Sequence, residues 1–193
     1  MRIISGEARG RTLYAPQGRE TRPTSDKIRG SMFNIIGSRV IGTRVIDLFG
    51  GTGALALEAL SRGADFAVIA DSSRQAIQVI ERNAKAVLKD EMDRRVRILK
   101  MDYRTAIERA EGSFDMVFLD PPYRMVEVYG DALTRLSGRL NPDCLVVAER
   151  LKSAAIQLPE GFESYDTRFY GDTAVEFIRL TGQTRGSDRQ NLE

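Results

Sequence analysis

From residue 44 onward the chain alternates short apolar runs with amphipathic ones, and this alternation limits the fold more than any other feature. RVIDLF, DFAVIAD, RVRILKMD, FDMVFLD and CLVVAER each read as a buried strand. Between them lie ALALEALSRG, SRQAIQVIERNAKAVLKD, YRTAIERAEG and MVEVYGDALTRLSG, which read as helices. In the second of these, Ile77, Ile80, Ala84, Val87 and Leu88 share one face. Repeated strand–helix units with near-continuous apolar strands predict a parallel sheet covered by helices on both faces. Residues 163–180, ESYDTRFYGDTAVEFIRL, break the pattern and predict an antiparallel hairpin turning at Tyr-Gly-Asp-Thr. The expected fold class is α/β, a doubly wound, mostly parallel seven-stranded sheet with an antiparallel C-terminal hairpin.

Ahead of this unit, RIISG and RTLYA predict a small N-terminal β-hairpin, followed by a Gly/Pro/Arg-rich loop. Thr24 or Ser25 fits an N-cap with Asp26 in the first turn. Ile28, Met32, Ile35 and Ile36 continue a helix that Gly37 can end. The expected division is a basic hairpin-and-loop extension over 1–23, one α/β domain over 24–181, and a polar tail over 182–193.

Composition narrows the chemistry. A chain of 193 residues supports one full-sized core. No apolar run reaches the roughly 20 residues of a membrane span, and Arg2-Ile3-Ile4-Ser5-Gly6 does not open a leader. The single cysteine, Cys144, lies in CLVVA and reads as a core thiol, so a reducing cytoplasmic setting is expected. Histidine is absent, which removes Ser-His-Asp and Cys-His nucleophiles and the usual zinc sites. No metal is expected, and the chemistry must rest on carboxylates, backbone groups, aromatics or a cofactor. Net charge is only +2, yet residues 1–40 carry eight Arg/Lys against three acids. A basic segment on a mildly acidic body points to an anionic partner, with nucleic acid the first candidate.

The loop DLFGGTGALALEAL stands at the carboxyl end of the first strand, where ligands bind in open α/β sheets. Gly50, Gly51 and Gly53 let the backbone approach a ligand closely, and Phe49 lies within the same loop. The pattern also satisfies G-x-G-x-x-A, with Asp71 at about the spacing of a ribose-binding acid, so a dinucleotide has to be weighed. Asp47 opposes it, because an acid beside the turn repels a pyrophosphate. S-adenosylmethionine, which carries a sulfonium and an ammonium and no phosphate, suits the loop better. Asp71 then accepts the ribose hydroxyls and Asp102 the adenine amine, with Tyr103 or Met101 beside the ring. Either acid is alternatively a helix N-cap.

Asp120-Pro121-Pro122-Tyr123 closes the fourth strand. Prolines fix φ and leave carbonyls as acceptors. The Asp120 carboxylate and a proline carbonyl together match the two hydrogens of an exocyclic amine. Tyr123 offers a face for base stacking. Acceptors that draw those hydrogens out of the ring plane localise the nitrogen lone pair toward a methyl donor.

DLFGGTG, the spaced acids and DPPY together resemble the class I S-adenosylmethionine-dependent methyltransferases that modify exocyclic amines, with their Rossmann-like fold. RIISGEARGRTL, TRPTSDKIRGSMFNII and LEALSRGA resemble, more narrowly, the RsmD family. The resemblance implies methylation of a guanine N2 amine in 16S rRNA, free or within a small ribosomal subunit or assembly intermediate. It also implies a monomer, with Arg22, Pro23 and Thr24 near the methionine end of the cofactor. The basic N-terminus then holds RNA through Arg9, Arg11, Arg19 and Arg22. The chain departs from the family pattern at Gly30, where glutamate is common, and at Gly51, where alanine is common. Alternatives left open are DNA adenine-N6 or glutamine-N5 methylation, an NAD oxidoreductase and a non-catalytic RNA-binding module.

Overall fold

The computed structural model describes residues 1–15, 26–122 and 124–182. The first helix, α1 (Asp26–Ile36), is followed by a 3-10 turn at Gly37–Val40. The strand–helix series then runs β1 (Arg44–Asp47), α2 (Ala54–Ser61), β2 (Phe66–Asp71), α3 (Arg74–Leu88), α4 (Met92–Arg95), β3 (Val96–Lys100), α5 (Tyr103–Arg109), β4 (Phe114–Leu119), α6 (Val128–Leu136) and β5 (Leu140–Leu151). The chain closes on β6 (Phe162–Tyr170) and β7 (Thr173–Leu180).

The seven strands form one sheet in the order β3-β2-β1-β4-β5-β7-β6. β1 through β5 are mutually parallel; β7 runs antiparallel to both β5 and β6. Val45, Ile46, Val68, Ile69, Val117 and Phe118 are completely buried because helices cover both sheet faces. Burial of each such side chain contributes about 1.5–3 kcal/mol. The strand order reverses between β1 and β4, so Asp47 and the residues after Leu119 emerge side by side.

Differences from the sequence reading are local. β1 ends at Asp47 because Leu48 and Phe49 already bend into the glycine loop. β5 starts at Leu140, ahead of the apolar run. The single turn of α4, with the 3-10 turn Lys89–Glu91 before it, has no apolar periodicity and was not foreseen. The proposed N-caps Thr24 and Ser25 lie outside the described residues, as does the tail beyond residue 182.

The first 15 residues fold back as a hairpin, with Arg2 and Thr12 bridged and Ile3 N–H donating to the Arg11 carbonyl at 2.9 Å. Ile3 and Leu13 enter the same core as Met32, Phe33 and Ile36 of α1. Docking is also polar. Glu58 of α2, 0% exposed, accepts from Ile4 N–H (2.7 Å), Ser5 N–H (3.0 Å) and Arg62 Nε (2.7 Å), and Arg29 Nε lies 3.7 Å away. At the carboxyl end of α2, Glu7 N–H donates to the Ser61 carbonyl (2.8 Å), satisfying one of the helix's orphan acceptors. Gly6 permits this approach, since a Cβ there would lie 1.7 Å from the Ser61 oxygen.

Candidate active site

Four carboxylates line the carboxyl edge of the sheet: Asp47 and Asp71 end β1 and β2, and Asp102 and Asp120 follow β3 and β4. Asp47 is 1% exposed. Its carboxylate accepts from Phe49 N–H at 3.3 Å, and the backbone N–H of Ala56 in α2 also favours its ionised form. Burial, with Asp71 adding repulsion, outweighs both and pushes the Asp47 carboxyl up to about 7.

The loop between them is held from both sides. Gly50 N–H donates to the Ala70 carbonyl (2.8 Å) and Gly51 N–H to Asp71 Oδ2 (2.9 Å). Ser73 N–H donates to Asp71 Oδ1 (2.8 Å). Each Asp71 oxygen therefore supports the backbone with one lone pair and keeps another for a ligand. At Gly50 the protein itself excludes a side chain. A Cβ would meet Ile69 at 2.5 Å and Ile80 at 2.9 Å, so a side chain would lift the loop off the sheet. Gly53 forms the N-cap of α2 without a side-chain bond.

Asp102 is the N-cap of α5, accepting from Arg104 N–H (3.0 Å), Thr105 N–H (3.3 Å) and the Thr105 hydroxyl (2.8 Å). The Thr105 bond, followed by those backbone N–H groups, holds its carboxyl below the usual range. Tyr103 differs most from its expected place beside an adenine. It is buried, its ring 5.6 Å from that of Phe49, and its hydroxyl donates to Asp131 at 2.7 Å. Burial and that bond push the Tyr103 hydroxyl up to about 12. The half-buried Phe49 and Met101 are the apolar side chains that this corner presents.

Asp120 follows β4, half-buried, and Pro121 is buried behind it. The Pro122 carbonyl already accepts from Met125 N–H at 2.9 Å, closing a turn, so one of its lone pairs is taken. The Pro121 carbonyl, next to Asp120, is the less committed acceptor among the described residues. Tyr123, Arg19, Arg22 and Thr24 lie outside the described residues. Arg9 and Arg11 are exposed on the hairpin. Arg9 sits at its tip beside the carboxyl end of α2, about 12 Å along that helix from the glycine loop. The sequence reading missed Arg29, an arginine at 0% exposure on the apolar face of α1, and Asn83, 1% exposed on α3. A charged or amide residue interrupting an apolar face was the available signal for both.

A cationic ligand fits this edge better than a pyrophosphate. Four acids converge there, and residues 47–54 contain no basic side chain. No helix among the described residues is long and apolar enough to cross a membrane, and they hold no cluster of metal-ligating side chains.

The family model described as Conserved hypothetical protein 95 matches residues 1–179. The chain belongs to the RsmD family. It is 39% identical over 166 residues to "Putative rRNA methyltransferase YlbH" of Bacillus subtilis, covering 83% of this chain and 86% of that one. It is 35% identical over 124 residues to the ribosomal RNA small subunit methyltransferase D of Escherichia coli K12, covering 64% and 61%. Among solved structures, "Putative methyltransferase yhhF from Escherichia coli" superposes with a TM-score of 0.81 at 26% identity, covering 95% and 99%. As an RsmD-family protein the chain is an S-adenosylmethionine-dependent methyltransferase with the class I fold.

Asp47 gives this RsmD-family site a testable pH dependence. An arriving ammonium or sulfonium favours the ionised carboxylate, so cofactor affinity should rise about tenfold between pH 6 and 8. Calorimetry across that range checks it, and Asp47→Asn should flatten the profile. Stability should move the opposite way. The folded carboxyl keeps its proton above the ordinary value of 3.8, so this group's contribution declines from pH 4 to 7 and stays low above.

Proposed function

We propose that the chain methylates the exocyclic N2 amine of a guanine in 16S rRNA. The observation that carries the chemistry is the adjacency of β1 and β4 at the strand-order reversal, which sets the Asp47 loop beside Asp120-Pro121. The rRNA substrate is supported by the relatives named above as an rRNA methyltransferase and a small-subunit rRNA methyltransferase.

When bound, S-adenosylmethionine supplies a methyl group made electrophilic by its sulfonium. Asp47 and the glycine loop orient the cationic amino-acid end, with Arg22 and Thr24 in the segment that follows the hairpin. Asp71 accepts from the ribose hydroxyls, Asp102 takes the adenine amine on its remaining lone pairs, and Phe49 backs the base, with Tyr103 buttressing Phe49. Asp120 and the Pro121 carbonyl hold the two hydrogens of the guanine amine and stabilise positive charge as it develops on nitrogen. Tyr123, next after Pro122 in sequence, supplies the face on which a flipped or unpaired base stacks. Arg9, Arg11, Arg19 and Arg22 meet phosphates. The protein acts as a monomer in the cytoplasm, on the small subunit or an assembly intermediate.

Tritiated methyl transfer to unmodified 16S rRNA and to small subunits, followed by nucleoside analysis, tests the reading. N2-methylguanosine is the expected product, and N6-methyladenosine would overturn it.

A further inference from the structure

Tyr14 is 44% exposed, an unusual state for an aromatic whose backbone is fixed so firmly. Its N–H donates to Asn83 Oδ1 at 2.8 Å, and Asn83 Nδ2 donates back to the Tyr14 carbonyl at 3.0 Å. The same Nδ2 donates to the carbonyl of Thr52, in the glycine loop, at 2.9 Å. One buried amide thus fastens the end of the hairpin to the cofactor loop, using its full set of strong donors and acceptors on backbone groups. The ring is held at the surface beside the site instead of folding into the core.

The charges around this ring are cationic. The Arg82 guanidinium lies 4.1 Å from its centroid. Arg82 also lines an open groove of about 680 Å³ with Lys85, Arg97, Glu81 and Asp93 among its other walls. Arg97 is paired with Glu111 at 3.1 Å, whereas neither Arg82 nor Lys85 forms an ion pair among the described residues. Exposed Arg11 stands on the same hairpin strand as Tyr14. The hairpin's own acid, Glu7, is paired with Arg95 (3.4 Å).

We propose that Tyr14 and Arg82 form a stacking site for an unpaired RNA base flanking the target, with Lys85 and Arg11 on the adjoining phosphates and Asn83 as the positioning residue that fixes Tyr14 against the cofactor loop. This rests on the rRNA reading above and extends it to surfaces of α3. An aromatic face with a guanidinium beside it accepts any base, so the site contributes affinity and orientation while sequence is read elsewhere.

Two measurements test it: anisotropy of a single-stranded RNA oligomer at several salt concentrations, and methyl-transfer kinetics on the substrate that the wild type accepts. Tyr14→Ala is expected to weaken oligomer binding and raise the RNA KM about tenfold each, with kcat and cofactor affinity unchanged. Tyr14→Phe keeps the ring and should behave as wild type. Arg82→Gln should weaken binding, and Lys85→Gln, which removes a phosphate contact, should reduce the salt slope by about 0.7. Unchanged oligomer affinity in Tyr14→Ala overturns the proposal. A KM defect seen only with assembled subunits also overturns it, since the ring would then meet a ribosomal protein. Wild-type enzyme that transfers no methyl to rRNA overturns the functional reading and this one together. Wild-type transfer with an indifferent Tyr14→Ala overturns this one alone.

Discussion

Asp120→Ala is expected to lower kcat for methyl transfer about a thousandfold while changing cofactor affinity by no more than about twofold. The asymmetry follows from where Asp120 stands. The cofactor loop is held by Asp47, Asp71 and the backbone of β2, and β4 meets it through the Phe118 carbonyl, which accepts from Leu48 N–H (3.4 Å) and which the substitution leaves in place. Asp120 and the Pro121 carbonyl act on the amine. An amine whose lone pair is delocalised into a ring becomes nucleophilic only when its hydrogens are drawn toward acceptors out of the plane. Alanine removes one of two acceptors and the negative charge opposite the developing cation, and misaligns the nitrogen for in-line attack. Asp120→Asn separates two roles. An amide oxygen still accepts one hydrogen, so a group that works by alignment should retain activity well above that of the alanine variant. A group that works as the base should lose as much as alanine does. Single-turnover kinetics with calorimetry on both variants makes the measurement. Turnover of Asp120→Ala at the wild-type rate would remove Asp120 from the chemistry.

Much of the fold was legible because its signals are local. Apolar runs such as FAVIAD and FDMVFL can only be strands buried on both faces, and the acid ending each run marks the carboxyl edge. Tyr-Gly-Asp-Thr announced the final hairpin, which turns between Tyr170 and Thr173 as the pattern required. What could not be read is what depends on distant contacts. Asp102 serves as a cap because Thr105 lies within its reach, whereas the sequence reading put it on the adenine amine with the cap as the alternative. Pro122 commits a carbonyl lone pair to Met125, a turn that Pro-Pro does not announce. The glycine pattern points to ligand approach at Gly50, and the packing of Ile69 and Ile80 beneath it adds a demand that no local pattern carries. Tyr103 faces inward because Asp131, 28 residues later, accepts its hydroxyl. Hydrophobic periodicity reports which face is buried; it says nothing of which polar group waits there.

The N-terminal hairpin is where that blindness has the largest energetic consequence. Glu58→Ala should lower the unfolding midpoint by about 10 °C, corresponding to roughly 3–5 kcal/mol in a chain of this size. In sequence Glu58 is the one acid of ALALEALS, a charge in an otherwise apolar helix, and the sequence does not say what meets it. In the fold it receives two backbone N–H groups of the hairpin, the Arg62 side chain, and the charge of buried Arg29. Arg29 also donates to the Arg2 carbonyl and to Asp26 at 3.0 Å, while its Nε and Nη1 find no hydrogen-bond partner among the described residues. Removing the carboxylate therefore leaves the buried Arg29 with exposed Asp26 as its counter-ion and two part-buried N–H donors unmet at once, and each loss costs more than the contact was favourable to form. Glu58→Gln keeps an acceptor but not the charge, and should fall between alanine and wild type. Because the same contacts dock the hairpin on α2, RNA affinity should fall together with stability. Cofactor affinity below the transition should fall less, since the glycine loop keeps its ties to Ala70 and Asp71. Thermal melts paired with the two binding measurements resolve the order of loss. A Glu58→Ala protein that melts within about 2 °C of wild type would mean that apolar packing by Ile3 and Leu13 alone holds the hairpin in place.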